Sequence, residues 1–290
     1  MPPRFLKFHG FGNDYIVIEA NELRLWEPAE FARRICNRHY GAGADGIALL
    51  ERLNDDSADF RVRIFNPDGS EAGLSGNGTR CAAAYVHHKG IWSKPELRLK
   101  TRTGIKRYIL REAAPEAGRY LFDSELGQPK FDSASIPMTA EPPLEKVVDY
   151  PLQVEGDTFL ITALQMGNPN CCIFVEDFEA LDWRRIGKAI EIHKAFPERT
   201  NVTFVRVQDR QTIELRIWER GVGETTASGT CSCAAAIGAM IKGQTDRTVN
   251  ALMPGGEARI QWRTDSEVVI TGTAEVIYSG DWLSKPLARA

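Results

Sequence analysis

The sequence predicts an α+β fold made twice over: two similar halves, each of mostly antiparallel strands around one central helix. Three observations predict it. The segment from Ser75 to Ala84 reads SGNGTRCAAA, and that from Ser228 to Ala236 reads SGTCSCAAA, about half the chain apart. Each opens a helix-like stretch and follows a charged, turn-rich stretch, NPDGSEAG in one case and WERGVGET in the other. Around both lie short runs in which polar and apolar residues alternate, the period of half-buried strands.

In the first half, residues 4–8 and 15–19 read as strands about the loop HGFGND. Residues 28–39 read as a helix with Pro28 near its start, where a missing N–H costs nothing. GAGADG is then a turn, IALLERL a strand, and RVRIFN (61–66) another strand, closed by the turn NPDGS. The Ala-rich helix covers 76–88. Antiparallel strands follow about LRLKT, KRYIL and RYLFD. The Pro- and Ser-containing stretch 127–145 reads as the crossing into the second half. The order then repeats: strands at 152–164 and 171–175, a helix at 182–194, and strands at 202–207 and 212–218. The turn ERGVGE, a helix at 229–241 and strands near 257–263 and 267–278 complete it. The last strand is expected to return to the first half. The domains so read are 1–126 with 272–290, and 127–271.

At 290 residues the chain is long enough for a full core without disulfide or metal staples. A net charge of −3, spread without basic runs, argues against nucleic acid as a partner. No polybasic amphipathic segment, apolar leader or 18-residue apolar stretch appears, so neither a membrane surface nor a span is expected. Six cysteines in no framework spacing point to a reducing cytoplasm.

GAGADG (41–46) matches the dinucleotide-binding pattern of glycines, but here a helix precedes it and a strand follows. That order is the reverse of what pyrophosphate binding needs, so the segment reads as a turn. The five histidines form no zinc spacing, and no metal is expected. His87 and His88 lie at a helix C-terminus, which favours positive charge. Ser75 and Ser228 read as helix N-caps. The N–H groups behind them can equally hold a carboxylate, and the duplication with its charged approaches favours that second use. Asn13, Asn66, Asn77, Asn168 and Asn201 sit in loops or at strand ends, where amides can read a zwitterion. Glu219-Arg220 adds a carboxylate for an ammonium group and a guanidinium for a carboxylate.

In order and spacing, HGFGNDY, RHYGAGADG, FNPDGSE, SGNGTRCAAA, MGNPN, FPERTNVTF, WERGVGETTASGT and MPGGE resemble the diaminopimelate epimerases over almost the whole chain. The resemblance implies two pseudo-symmetric lobes, each a curved antiparallel sheet around a central helix, with the site in the cleft between them. It implies a cofactor-independent, two-base inversion of an amino-acid α-carbon, LL- to meso-diaminopimelate. It also implies a homodimer, with Tyr278 in the stretch at the dimer contact. By the same resemblance Asn13, Asn66, Asn168 and Asn201 contact the substrate. Gly76-Asn77 and Gly229-Thr230 cradle the reacting carboxylate, and Glu219-Arg220 grip the amino and carboxylate groups.

The family's two catalytic cysteines fall on Ser75 and Ser228, and its histidine in GNPH falls on Asn170. A thiol has a pKa of about 8.5, lowered further at helix N-termini, whereas a hydroxyl is several units weaker as an acid. General-base catalysis favours a pKa near the working pH, so turnover by the two serines is expected to be slow. Cys231, three residues past Ser228, is the one stand-in the sequence offers. Three further readings stand beside isomerisation. One is an amino-acid-binding paralogue without catalysis. Another is altered chemistry, such as dehydration of a hydroxy-amino acid, by fold-level analogy with proline racemase-like families. The last is replacement of the bases by engineering.

Overall fold

The computed structural model describes residues 1–54 and 56–285. In chain order the elements begin β1 (Arg4–Gly10), β2 (Asn13–Glu19), α1 (Pro28–Ile35), β3 (Gly46–Arg52), β4 (Phe60–Phe65) and β5 (Glu71–Ala72). They continue α2 (Gly76–His88), β6 (Glu96–Thr101), β7 (Gly104–Ala114), β8 (Arg119–Gly127), β9 (Val147–Val154), β10 (Asp157–Gln165) and β11 (Pro169–Phe174). Then come α3 (Trp183–Glu191), β12 (Asn201–Asp209), β13 (Thr212–Glu219), β14 (Gly223–Thr225), α4 (Gly229–Ile241), β15 (Thr248–Met253), β16 (Gly256–Trp262) and β17 (Val268–Asp281). The chain forms two compact units, Met1–Ser124 with the chain from Gly272 onward, and Glu125–Thr271.

In the first unit β1 pairs antiparallel with β2, and β2 parallel with β3 across α1. β3 then pairs antiparallel with β4, and β4 parallel with β6 across β5 and α2. β6, β7 and β8 continue antiparallel, and β17 pairs with both β8 and β1, which closes the sheet into a barrel. The last strand does return to the first half, in register from Arg4↔Asp281 to His9↔Glu275. The second unit repeats this connectivity. β10 and β11 are antiparallel, β11 and β12 parallel across α3, and β12 and β13 antiparallel. β13 and β15 are parallel across β14 and α4.

The two helix pairs differ for a reason visible in composition. α1 buries one stripe (Phe31, Ala32, Ile35), as does α3 (Ile186, Ile190). By contrast every residue of α2 from Asn77 to Val86 is buried, and every residue of α4 from Cys231 to Ala239. A helix enclosed on all sides is a core element. The runs Ala82–Ala84 and Ala234–Ala236 keep these helices thin enough for strands to pack on every face. α2 packs on β1, β2, β3, β4 and β6, and α4 on β10, β11, β12, β13, β15 and β16.

Several expected elements need correction. The helix expected over 28–39 ends at Ile35, because Asn37 Oδ1 takes the His39 and Tyr40 N–H groups in a side-chain turn. The expected strand 152–164 is a hairpin of β9 and β10. Glu155 and Gly156, both with positive φ, turn it. The helix over 182–194 covers only Trp183–Glu191. β15 was not foreseen, although TVNALM alternates as a strand should. His87 and His88 lie in the last turn of α2, as expected. Burial lowers the pKa of both, and the His88 ring nitrogen Nδ1 meets the Tyr120 hydroxyl at 3.0 Å. Among the described residues no helix is long and apolar enough to cross a membrane.

Candidate active site

In the first unit the site begins where the short strand β5 delivers the chain to α2. Ser75 is extended (φ −132°, ψ 119°), and its hydroxyl accepts the Gly78 N–H at 3.1 Å, so it is an N-cap as expected. A Cβ added to Gly76 would meet nothing within 4 Å, so packing does not demand this glycine and open space lies over the helix start. Asn77 Nδ2 donates to Asn13 Oδ1 (3.2 Å), which brings two of the expected asparagines together. Asn66 is not joined to them. Its amide donates to Ser70 Oγ (3.0 Å) within the NPDGS turn.

Two arrangements that sequence reasoning missed hold this pair. Asn13 Nδ2 donates to Asp45 Oδ2 (2.7 Å), and Asp45 and Asp14 share the Arg38 guanidinium. Lys7 Nζ reaches Asp14 at 2.8 Å. Burial would raise the Asp14 carboxyl, but the hydrogen bonds from Arg38 and Lys7 win and hold it far below the usual range. On the other side Arg80, 1% exposed, donates from Nη2 to Asn77 Oδ1 (2.7 Å) and from Nε to Thr273 O (2.9 Å). Its guanidinium stacks on Phe11, 4.6 Å from the ring centre, and Phe11 stands in the β1–β2 loop that leads into Asn13. Gly10 and Gly272 make room for this stack. A Cβ at Gly10 would lie 2.7 Å from Arg80 Nη2, and one at Gly272 2.6 Å from Phe11 Cζ. The sequence signal was an arginine inside an otherwise small-residue helix.

In the second unit β13 and β14 deliver the chain to α4. Ser228 is again extended (φ −146°, ψ 126°), but its side chain makes no cap. Its hydroxyl instead donates to Glu219 Oε2 at 2.9 Å, while Thr225 Oγ1 donates to Glu219 Oε1 at 2.8 Å. Burial pushes the Glu219 carboxyl up, against the opposing effect of those two bonds. Here too the helix start is open: a Cβ on Gly229 would meet only Ile270 Cδ1, at 3.9 Å. Thr230, next in the chain, is partly exposed.

The remaining expected residues form an amide chain. Asn170, fully buried, donates to Asn168 O (2.7 Å) and Asn168 Oδ1 (2.9 Å). Asn201 Nδ2 donates to Asn170 Oδ1 (3.3 Å), and the Arg220 N–H donates to Asn201 Oδ1 (2.8 Å). The Arg220 side chain is exposed and donates to Glu198 O (3.0 Å). Glu191, another residue sequence reasoning missed, fixes this loop. Its carboxylate accepts the Gly221 N–H and the Trp218 indole N–H, each at 2.8 Å. Cys231 is not the stand-in the sequence offered. It is fully buried, and burial raises its thiol well above the ordinary value.

The family profile described as Diaminopimelate epimerase matches residues 5–129 and 162–277. The chain belongs to the diaminopimelate epimerase family. Among its relatives is the diaminopimelate epimerase of Pelotomaculum thermopropionicum, 41% identical over 282 residues, with 96% of this chain and 98% of the relative covered. Another is that of Desulforudis audaxviator, 40% identical over 281 residues, covering 96% and 99%. Among solved structures, a predicted epimerase from Pseudomonas aeruginosa superposes with a TM-score of 0.69 at 19% identity, covering 98% of this chain and all of the other. The Bacillus anthracis phenazine biosynthesis protein of the PhzF family does so with a TM-score of 0.70 at 17% identity, covering 98% and 100%. At such identities these two structures speak for the fold: a sheet-rich chain with few helices and a closed, barrel-like sheet.

Proposed function

We propose that this protein is a cofactor-independent amino-acid epimerase that converts LL- to meso-diaminopimelate. The observation that supports it best is the paired construction of two open helix starts. Each has a hydroxyl at the N-cap position, and each belongs to one of the two units that share a strand connectivity. Relatives about 40% identical over nearly the full chain carry that name. In this reading the free N–H groups at Gly76-Asn77 and Gly229-Thr230 bind the reacting carboxylate, where helix dipoles favour negative charge. That charge stabilisation eases loss of the α-proton, because the carbanion's electrons move into the same carboxylate. Asn13, Asn66, Asn168 and Asn201 orient the substrate. Glu219 takes its ammonium group and Arg220 its distal carboxylate. Ser75 and Ser228 stand where the family resemblance places the two catalytic cysteines.

The homodimer is part of the same proposal. Ile277 and Tyr278 on β17 are 48% and 39% exposed, large for apolar side chains on a strand. A cytoplasmic place is supported by six free, buried cysteines. The test is α-proton exchange. Incubated in deuterated buffer with LL- or meso-diaminopimelate, the protein is expected to place deuterium at Cα, read by NMR. The absence of deuterium with every stereoisomer at high protein concentration would refute the reading.

A further inference from the structure

We infer that Arg80 and Asp45 are positioning residues that fix which way round the amides of Asn77 and Asn13 point, and so what Asn13 offers the substrate. This rests on the amino-acid reading proposed above and gives a task to two side chains outside its contact set. Four groups form one line of three hydrogen bonds. Arg80 Nη2 donates to Asn77 Oδ1 (2.7 Å), Asn77 Nδ2 to Asn13 Oδ1 (3.2 Å), and Asn13 Nδ2 to Asp45 Oδ2 (2.7 Å). An asparagine amide has an oxygen and an NH2 of nearly equal size, so a half-turn about its Cβ–Cγ bond exchanges acceptor for donor. Both ends of this line oppose the half-turn. A guanidinium has donors only, and a carboxylate acceptors only. Asp45 is committed on both oxygens, since Oδ1 also takes Arg38 Nη2 (2.7 Å) and Oδ2 the Asp14 N–H (3.0 Å). Were both amides to turn, Asn77 Nδ2 would face the guanidinium and Asn13 Oδ1 the carboxylate.

Arg80 also holds the turn that leads into Asn13. Phe11 and Gly12 both have positive φ (56° and 82°), the pair of conformations that a two-residue hairpin between β1 and β2 needs. For a phenylalanine that conformation is strained, and it persists only where the surroundings fix it. The Arg80 guanidinium lies 4.6 Å from the Phe11 ring centre, and its Nε is anchored on Thr273 O at 2.9 Å. Arg80 is 1% exposed, so it acts on a ligand through its neighbours and not by contact. Asn13 is partly exposed. Beyond its two bonds in the line its amide carries one more N–H and one more oxygen lone pair, and the direction of the line decides where each points.

The experiment measures deuterium exchange into diaminopimelate against substrate concentration, with urea midpoints beside it. An amide that contacts the substrate equally before and during the reaction sets KM and leaves kcat alone. R80M is expected to raise the KM for exchange about tenfold, with kcat per folded molecule within about twofold of the parent. R80K keeps a donor for Asn77 Oδ1 and should regain part of that KM. D45N, whose amide can donate as well as accept, should raise KM about threefold. Either end alone still holds the direction of the line, so R80M/D45N should raise KM beyond the product of the two single effects. A parental KM in R80M with a lowered urea midpoint would make Arg80 a packing residue only and overturn the inference. A double effect no larger than that product would overturn it too. Should R80M not fold, parental KM values in R80K and D45N would do the same. In each of these cases the epimerase reading stands. No deuterium from the parent chain with any stereoisomer would overturn both.

Discussion

The starts of α2 and α4 have nearly the same local sequence and the same backbone, yet their serines do opposite things. Ser75 accepts a hydrogen bond from its own helix; Ser228 donates one to Glu219. Asp14 and Glu219, one carboxylate from each unit, differ in the same sense. Asp14 in the first is held ionised by Arg38 and Lys7, whereas burial drives Glu219 in the second toward its neutral form. Nearly the same local sequence thus caps its own helix in one unit and reaches a carboxylate in the other, because β13 brings Glu219 beside Ser228 whereas the Ser75 hydroxyl meets the Gly78 N–H.

The largest effect expected from breaking this asymmetry comes from S75C/S228C. A thiol is several units more acidic than a hydroxyl, and each unit is worth about 1.36 kcal/mol. The double variant should therefore raise epimerisation about a hundredfold or more, measured as meso isomer formed from LL-diaminopimelate. S75C alone should contribute more of that gain than S228C alone, since Ser228 already has Glu219. Equal gains from the two single variants would mean the halves are functionally alike.

R80M comes next. It leaves Asn77 Oδ1 and Thr273 O without their buried donor and removes the stack on Phe11. A loss of about 2–4 kcal/mol is expected, read from urea midpoints. A smaller loss is expected from the caps. S75A should cost about 1 kcal/mol, the usual value of an N-cap, and S228A should cost no cap energy at all. Equal urea midpoints for S75A and the parent chain would remove the first half of the comparison.

The finest test is pH. Asp14 has a depressed folded-state pKa, so its contribution to stability is present above the ordinary aspartate range and is lost as pH falls below it. Glu219 has a raised one, so its contribution is present below the ordinary glutamate range and is lost as pH rises through the folded value. Stability measured from pH 3 to 8 should therefore lose some of its acid-side slope in D14N. E219Q should lose slope on the other side. The same sign of change in both variants would contradict the assigned environments.

Much of this was legible in the chain because it is local. Ala82–Ala84 and Ala234–Ala236 mark helices thin enough to be enclosed, and NPDGS and ERGVGE mark the turns that deliver them. Asn13, Asn77, Asn168 and Asn201 were found by expected positions in loops or at strand ends, and the structure ties them into two polar chains. What escaped reading depends on residues far apart in sequence. Arg80 acts through Thr273 and Phe11, Glu191 through Trp218 and Gly221, and Asp45 through Asn13. The Asn66 amide, expected beside the others, closes its own turn. Cys231 looked available by spacing alone, and only its burial removes it.

By itself the sequence determined the repeat, the two helix starts and the residue types that stand at them, because periodicity, caps and turns are properties of neighbouring residues. Only the tertiary structure decided which serine faces an acid. A hydroxyl's role depends on its hydrogen-bond partner. Glu219 is placed beside Ser228 by the pairing of β13 with β14, whereas Ser75 is left with the N–H of its own helix.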